Sequence, residues 1–190
     1  MEDIRTRLIN ATFDEIYTHG YHATSLANIL KSANTKKGSM YHYFSSKKEL
    51  VLAMITEKLE LRIETRWKKL SNTDLNIIDF LIDTLSNNPT IDLQRGCPLG
   101  NLLQESLGDD EDFADILTKI LQRWKNIFID ILHKAAQNGE IKDSVDIEKS
   151  ALFLIASIEG ALLIAKKSKD RKDYEDCMEQ LTLYLSFIKK

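Results

Sequence analysis

Apolar residues recur along most of the chain at the three- and four-residue intervals of one helix face, and no run alternates with period two between turn signals. The first stretch, about Asp3 to His19, sets Ile4, Leu8, Ala11 and Ile16 on one side and stops at Gly20, a suitable left-handed cap. Thr24 is a good N-cap for a second helix, Ser25 to about Ser32, with Leu26, Ile29 and Leu30 facing inward. Asn tolerates left-handed backbone, so Ala33-Asn34-Thr35 reads as a tight turn into a third helix, about Lys36 to Tyr43. Two short helices joined by such a turn are the signature of a helix-turn-helix.

Ser46-Lys47-Lys48-Glu49 reads as a capping box, with the Ser oxygen on the amide three residues on and the Glu carboxylate on the Ser amide. It opens a long helix whose stripe of Leu50, Ala53, Met54, Glu57, Leu61 and Trp67 runs to Leu70. Further helices are expected at about Asp74 to Ser86, a broken segment Gly96 to Leu107, Asp112 to Asn138, Asp146 to Lys167, and Asp173 to Lys189. The clearest stripe lies between Phe113 and Leu132, with Leu117, Ile120, Trp124, Phe128 and Ile131 in step. The helix from Asp146 is apolar on most of its circumference, and Ala156, Gly160 and Ala161 allow close approach of another helix. The last helix adds Tyr174, Cys177, Met178, Leu181, Tyr184, Leu185 and Ile188 on one stripe. Paired antiparallel, these two helices can form half of a four-helix bundle with a second copy of the chain, or bury each other within one chain. The expected fold is all-α, with about nine helices.

Seven glycines and two prolines in 190 residues fit that helical reading. The net charge of −3 speaks against nucleic acid until it is divided: residues 1–48 carry +3 and residues 49–190 carry −6. A basic head on an acidic body can hold phosphates while the body limits indiscriminate binding. The apolar run Ala151 to Ala165 is interrupted by Glu159 and falls short of the roughly 20 residues of a membrane span, so no membrane partner is expected. The N-terminus lacks a signal or transit pattern, which places the protein in the cytoplasm. Cys97 and Cys177 are far apart without ligand spacing, consistent with a reducing compartment. The four His residues show no zinc-type pairing, and no cofactor fingerprint or catalytic constellation is present, so neither metal, cofactor nor enzymatic activity is expected. The run Asp109 to Asp112 lacks the spacing of a calcium loop and suits a helix N-terminus instead.

The stretch that carries information begins at Gly20-Tyr21, continues through Thr24-Ser25 and Lys37-Gly38-Ser39-Met40-Tyr41-His42-Tyr43-Phe44, and ends at Ser46-Lys47. Over about the first 50 residues the chain resembles the TetR family of bacterial regulators; Glu159-Gly160-Ala161 in the penultimate helix adds a weaker likeness. The resemblance implies an N-terminal helix-turn-helix DNA-binding domain at 1–48 and an effector-binding and dimerisation domain at 49–190. It also implies a homodimer through the helices at about 146–167 and 173–189, double-stranded operator DNA as partner, and repression relieved by a small-molecule effector. Where the family often has Gly-Val-Ser, this chain has Asn34-Thr35-Lys36. Gly38 would let the recognition helix lie close to the duplex, with Lys36, Lys37 and Ser39 directed at bases or phosphates. Thr24, Ser25, Tyr41, His42 and Lys47 would hold register on the backbone, while Tyr43 and Phe44 fill the small core.

For an effector the candidates are Trp67, Phe80, Cys97, Trp124, Phe128 and Phe153, with His133 beside them, although apolar stripe residues more often form plain core. Cys97 is either a reactive thiol, with Arg95 as its activating cation, or an inert small hydrophobe. A helical enzyme or carrier would need an acid–base pair or metal site that the sequence does not show, and a constitutive interaction scaffold would show no ligand response.

Overall fold

Asp3 opens the first helix by accepting the Thr6 amide at 2.9 Å, and α1 (Ile4–His19) runs until Gly20, whose φ of 84° ends it. The computed structural model describes residues 2–71, 73, 75–87, 91–105 and 110–190. Among these residues the chain is helical, apart from turns and one isolated antiparallel bridge, Ile141 to Lys189. α2 (Leu26–Ser32) and α3 (Lys37–Tyr41) are joined through Asn34 at φ 46°, the left-handed turn expected of it, and the Thr35 amide closes the turn on the Leu30 carbonyl at 3.0 Å.

The N-cap of α2 is Ser25 rather than Thr24. Ser25 Oγ accepts from the Asn28 amide at 3.1 Å, whereas the Thr24 hydroxyl is buried and donates to the Gly20 carbonyl at 2.6 Å. α3 is shorter than expected because the amides of Tyr43 and Phe44 both turn back to the Met40 carbonyl. Met40 is fully buried and pins α3 to the core, a contribution of about 1.5–3 kcal/mol for a side chain of this size.

α4 begins as expected, with Ser46 Oγ accepting from the Glu49 amide at 3.1 Å. The Glu49 carboxylate reaches one residue further back, to the amide (2.7 Å) and hydroxyl (2.6 Å) of Ser45. The helix is not uniform: Lys47–Met54 is α-helical, Ile55–Leu59 forms a π-helical turn, and Glu60–Ser71 is α-helical again. Val51, Ile55, Leu59 and Trp67 are buried and Leu61 is 59% exposed, so the stripe drawn through Leu61 is corrected. Each four-residue step overshoots a 3.6-residue turn by about 40°, and the π turn takes up that excess by accommodating an extra residue.

α5 (Ile77–Ser86) is capped by Asn76, and its expected start at Asp74 lies outside the described residues. α6 (Pro98–Gln104) follows Cys97; its expected end at Leu107, like Asp109, is also outside them. α7 (Glu111–Gln137), α8 (Ile147–Ser168) and α9 (Arg171–Ile188) make nine helices among the described residues. Asp146 caps α8 and the left-handed Lys169 (φ 61°) ends it.

Packing groups the chain differently from a cut at residue 48. One compact unit comprises the chain up to Ile63 together with Pro98–Leu121, and the other Glu64–Cys97 with Gln122–Lys190. The first unit buries Leu8, Phe13, Ile16, Ile29, Phe44 and Leu50 between α1, α2, α3 and α4, and Leu99, Leu102, Phe113 and Leu117 from its second segment. In the second, α9 packs along α8 and against α5. The Trp67 and Phe128 rings meet at 4.8 Å, and Glu140 Oε2 accepts from the Ile77 amide at 2.6 Å. No helix among the described residues is long and apolar enough to cross a membrane.

Candidate nucleic-acid interface

Met40 is buried in α3 and Phe44 just beyond its end, while Lys36, Lys37, Gly38, Tyr41 and His42 are all exposed and Ser39 is half-buried. Lys36 and Lys37 have no ion-pair partner among the described residues. Lys37 Nζ stands 5.7 Å from the Tyr41 ring centroid, so cation and phenol form one surface. A Cβ added at Gly38 would meet nothing within 4 Å. No neighbour among the described residues therefore requires glycine there. A surface approaching from outside would meet bare backbone at that point.

The structure separates the remaining predicted contacts. Ser25 is exposed at the start of α2. Thr24 is 2% exposed, and its hydroxyl is engaged by the Gly20 carbonyl, so it supports the turn before α2 and presents no free face. Lys47 is half-buried: its ammonium donates to the Tyr21 carbonyl at 2.7 Å and lies 4.1 Å from the Tyr21 ring centroid. Burial lowers the Lys47 pKa, opposed by the charge of Glu105. Tyr43 was expected in the core with Phe44, yet it is 40% exposed, with its ring edge-on to His42 at 5.1 Å; only Phe44 is buried. Helical spacing alone could not separate them, because α3 has already ended when the chain reaches Tyr43.

Sequence reasoning passed over Lys48. It pairs with Asp110 (2.8 Å) and Asp112 (2.6 Å), whose carboxylates raise its pKa. These acids also serve the start of α7, the Asp112 amide donating to Asp110 at 3.1 Å. Tyr21 completes the cluster, with its ring edge-on to Phe113 at 5.1 Å. The partners lie more than sixty residues from Lys48 in sequence, and only the general charge pattern hinted at the pairing.

In the second unit Trp67, Trp124 and Phe128 form a buried aromatic group, Trp124 lying 6.4 Å from Phe128. The Trp124 indole Nε1 is buried without a hydrogen-bond partner among the described residues. Phe80 and His133 are half-buried or exposed at their own helix positions, α5 and α7. Phe153 stands apart: it is 47% exposed on α8, with its ring edge-on to Tyr184 at 4.8 Å. Cys97 is half-buried and forms no disulfide. Its thiol donates to the carboxylate of Glu159, whose other oxygen, Oε1, is buried and unpartnered among the described residues. Burial raises the Glu159 pKa, and the Cys97 bond opposes that rise. Arg95, the cation expected to activate Cys97, is paired with Asp92 at 2.6 Å. The neighbour supplied to the thiol is thus a carboxyl group, which does not lower a thiol's pKa as a cation would. No group of three or more metal-ligating side chains occurs among the described residues.

The face of α8 and α9 away from the core exposes Leu152, Phe153, Leu163, Ile164, Leu183 and Phe187, between 47% and 72% each. A Cβ at Gly160 on α8 would meet nothing within 4 Å. Exposed apolar residues grouped in this way are common at interaction surfaces.

The family model for bacterial regulatory proteins of the tetR family matches residues 8–54, and the model for the tetracyclin repressor-like C-terminal domain matches residues 75–181. An HTH-type transcriptional regulator from the lacX 3' region of Lactococcus lactis subsp. lactis is 31% identical over 182 residues, covering 90% of this chain and 87% of that protein. The HTH-type transcriptional regulator YxaF of Bacillus subtilis (strain 168) is 25% identical over 173 residues, covering 89% and 88%. The fold matches a TetR-family regulator from Cytophaga hutchinsonii with a TM-score of 0.85 at 23% identity, over 97% of this chain and 94% of that one. With both of its regions matched, an exposed helix-turn-helix and an all-α body, the chain belongs to the TetR family of transcriptional regulators.

Proposed function

We propose that the chain is a homodimeric repressor that binds operator DNA through α2 and α3 and releases it when a small-molecule effector occupies the body. The observation that carries this reading is the exposed part of α3, where Lys36, Lys37, Tyr41 and His42 stand in solvent around a glycine that no neighbour among the described residues requires. Ser25, Lys36, Lys37, Gly38, Ser39, Tyr41 and His42 would contact the duplex, while Thr24 and Lys47 hold the turn behind them. Cations and hydroxyls on phosphates set register, and residues at the start of the recognition helix reach base edges.

A dimer follows from the apolar face of α8 and α9. A second copy of the same face is its self-complementary cover, and the small residues Ala156 and Gly160 let the helices approach. Two heads would then meet successive major grooves at a spacing of roughly 34–36 Å. The functional division stays at 1–48 and 49–190, with the effector held near Trp67, Trp124 and Phe128 and the polar pair Cys97–Glu159. Effector binding favours a head separation that no longer fits the half-sites. Such a protein works in the cytoplasm and needs no enzymatic activity.

The test is a salt titration of binding to the DNA upstream of the protein's own gene, beside a random duplex of equal length. Selective binding by a dimer, with affinity falling steeply as salt rises, is expected. Equal affinity for both duplexes, repeated against a genomic fragment library, would overturn the reading.

A further inference from the structure

The turn between α1 and α2 is held from outside the N-terminal residues. Glu105, just beyond the end of α6, places Oε2 2.6 Å from the Tyr21 amide and 3.2 Å from the His22 amide, accepting from both. The Glu105 carbonyl oxygen lies 3.1 Å from His22 Nε2. Lys47 grips the same turn from the other side through the Tyr21 carbonyl, and the Glu105 charge acts on its ammonium. A Cβ at Gly20 would stand 2.6 Å from Glu105 Oε1, so the carboxylate would have to shift to admit one, while the φ of 84° itself favours glycine. The turn supplies the carbonyl that holds Thr24, and Ser25 starts α2 one residue later.

Two features separate this contact from ordinary packing. The bond to the His22 amide is exposed and that to the Tyr21 amide only partly buried, so water competes for both amides and the contact adds only modestly to overall stability. The bonds also fix one backbone turn, from which the direction of α2 and α3 follows. We infer that Glu105 is a positioning residue for DNA binding: its carboxylate holds the α1–α2 turn so that the helix-turn-helix meets the duplex preorganised. The inference rests on the DNA-binding reading above.

The experiment uses the full chain and a duplex selected from a random library by the unmodified protein. Glu105→Ala is expected to weaken binding about tenfold, with the slope of log affinity against log salt unchanged because no phosphate contact is removed. Glu105→Gln keeps length and one acceptor oxygen and should recover most of the loss. The Tyr21 and His22 amides should exchange faster in Glu105→Ala while the melting temperature stays within a few degrees. Lys47→Met should also weaken binding, and the double variant should lose less than the product of the two, since both side chains act through one turn. Affinity of Glu105→Ala within twofold of the unmodified chain would overturn the inference. So would a salt slope reduced by about one, or equal losses in both Glu105 variants that track a fall in melting temperature. Failure of the unmodified chain to select any duplex overturns the DNA-binding reading itself, and shows before any variant is made.

Discussion

The exposed residues of α3 and those of α8 and α9 are built from opposite materials. On α3, lysines, tyrosine and histidine stand in solvent around bare backbone, anchored by one deeply buried methionine. On α8 and α9, leucines and phenylalanines stand in solvent. Water solvates the first at little cost, so that surface can wait for a polyanion. It solvates the second poorly, at about 25 cal/mol per Å² of apolar area, so that surface favours permanent cover. One surface suits a partner that comes and goes, the other a partner that stays.

That contrast can be broken or sharpened experimentally. The largest effect is expected inside the body: Phe128→Ala should lower stability by about 3–5 kcal/mol in urea unfolding, because the ring packs at 4.8 Å on Trp67 in a site closed to solvent. An unchanged midpoint would mean that this aromatic group is not core. Next, Lys37→Ala combined with Tyr41→Ala should reduce operator affinity roughly a hundredfold and flatten the salt dependence, with melting unchanged. Retained affinity would show that the exposed side of α3 is an ordinary solvated surface. Leu163→Asp should weaken self-association by about 2 kcal/mol, read as a shift toward monomer in sedimentation velocity. A persistent dimer would move the interface off α8 and α9.

The smallest effect concerns Glu159. Burial raises its pKa above the ordinary 4.5, so the folded chain keeps this proton at pH values where the unfolded chain has released it. Stability therefore falls as pH rises from about 4.5 to the raised value, and its contribution is level above that. Glu159→Gln should remove this decline, measured as melting temperature against pH. A profile unchanged from the parent would place the carboxyl in contact with water.

Much of the fold was legible because its signals are local. Asp3, Ser46 and Asp146 cap helices within three residues of themselves, and Asn34 and Gly20 adopt positive φ as their chemistry suggests. The recognition surface was legible in composition and partly misassigned in geometry. Thr24 and Lys47 have the chemistry of phosphate contacts, but the Gly20 and Tyr21 carbonyls engage them, and backbone acceptors leave no mark in a sequence. Glu105 was invisible for a different reason: it acts on Tyr21 from 84 positions away, as one carboxylate among many. In the body, a periodic stripe shows that Trp124 and Phe128 face inward, while which buried polar atoms lack partners depends on tertiary packing.

The π turn at Ile55–Leu59 has a consequence for how this chain tolerates change in length. It works as a phase shifter in an otherwise regular screw, offsetting the rows of side chains before it from those after it. Deleting one residue within it would restore the regular screw and keep the rows on either side in step, whereas deleting one elsewhere in the helix would turn every residue beyond the gap by about 100° without altering any residue's chemistry. Along α4, the count of residues thus decides which aromatic reaches the interior, and a gap of one can matter more than a substitution.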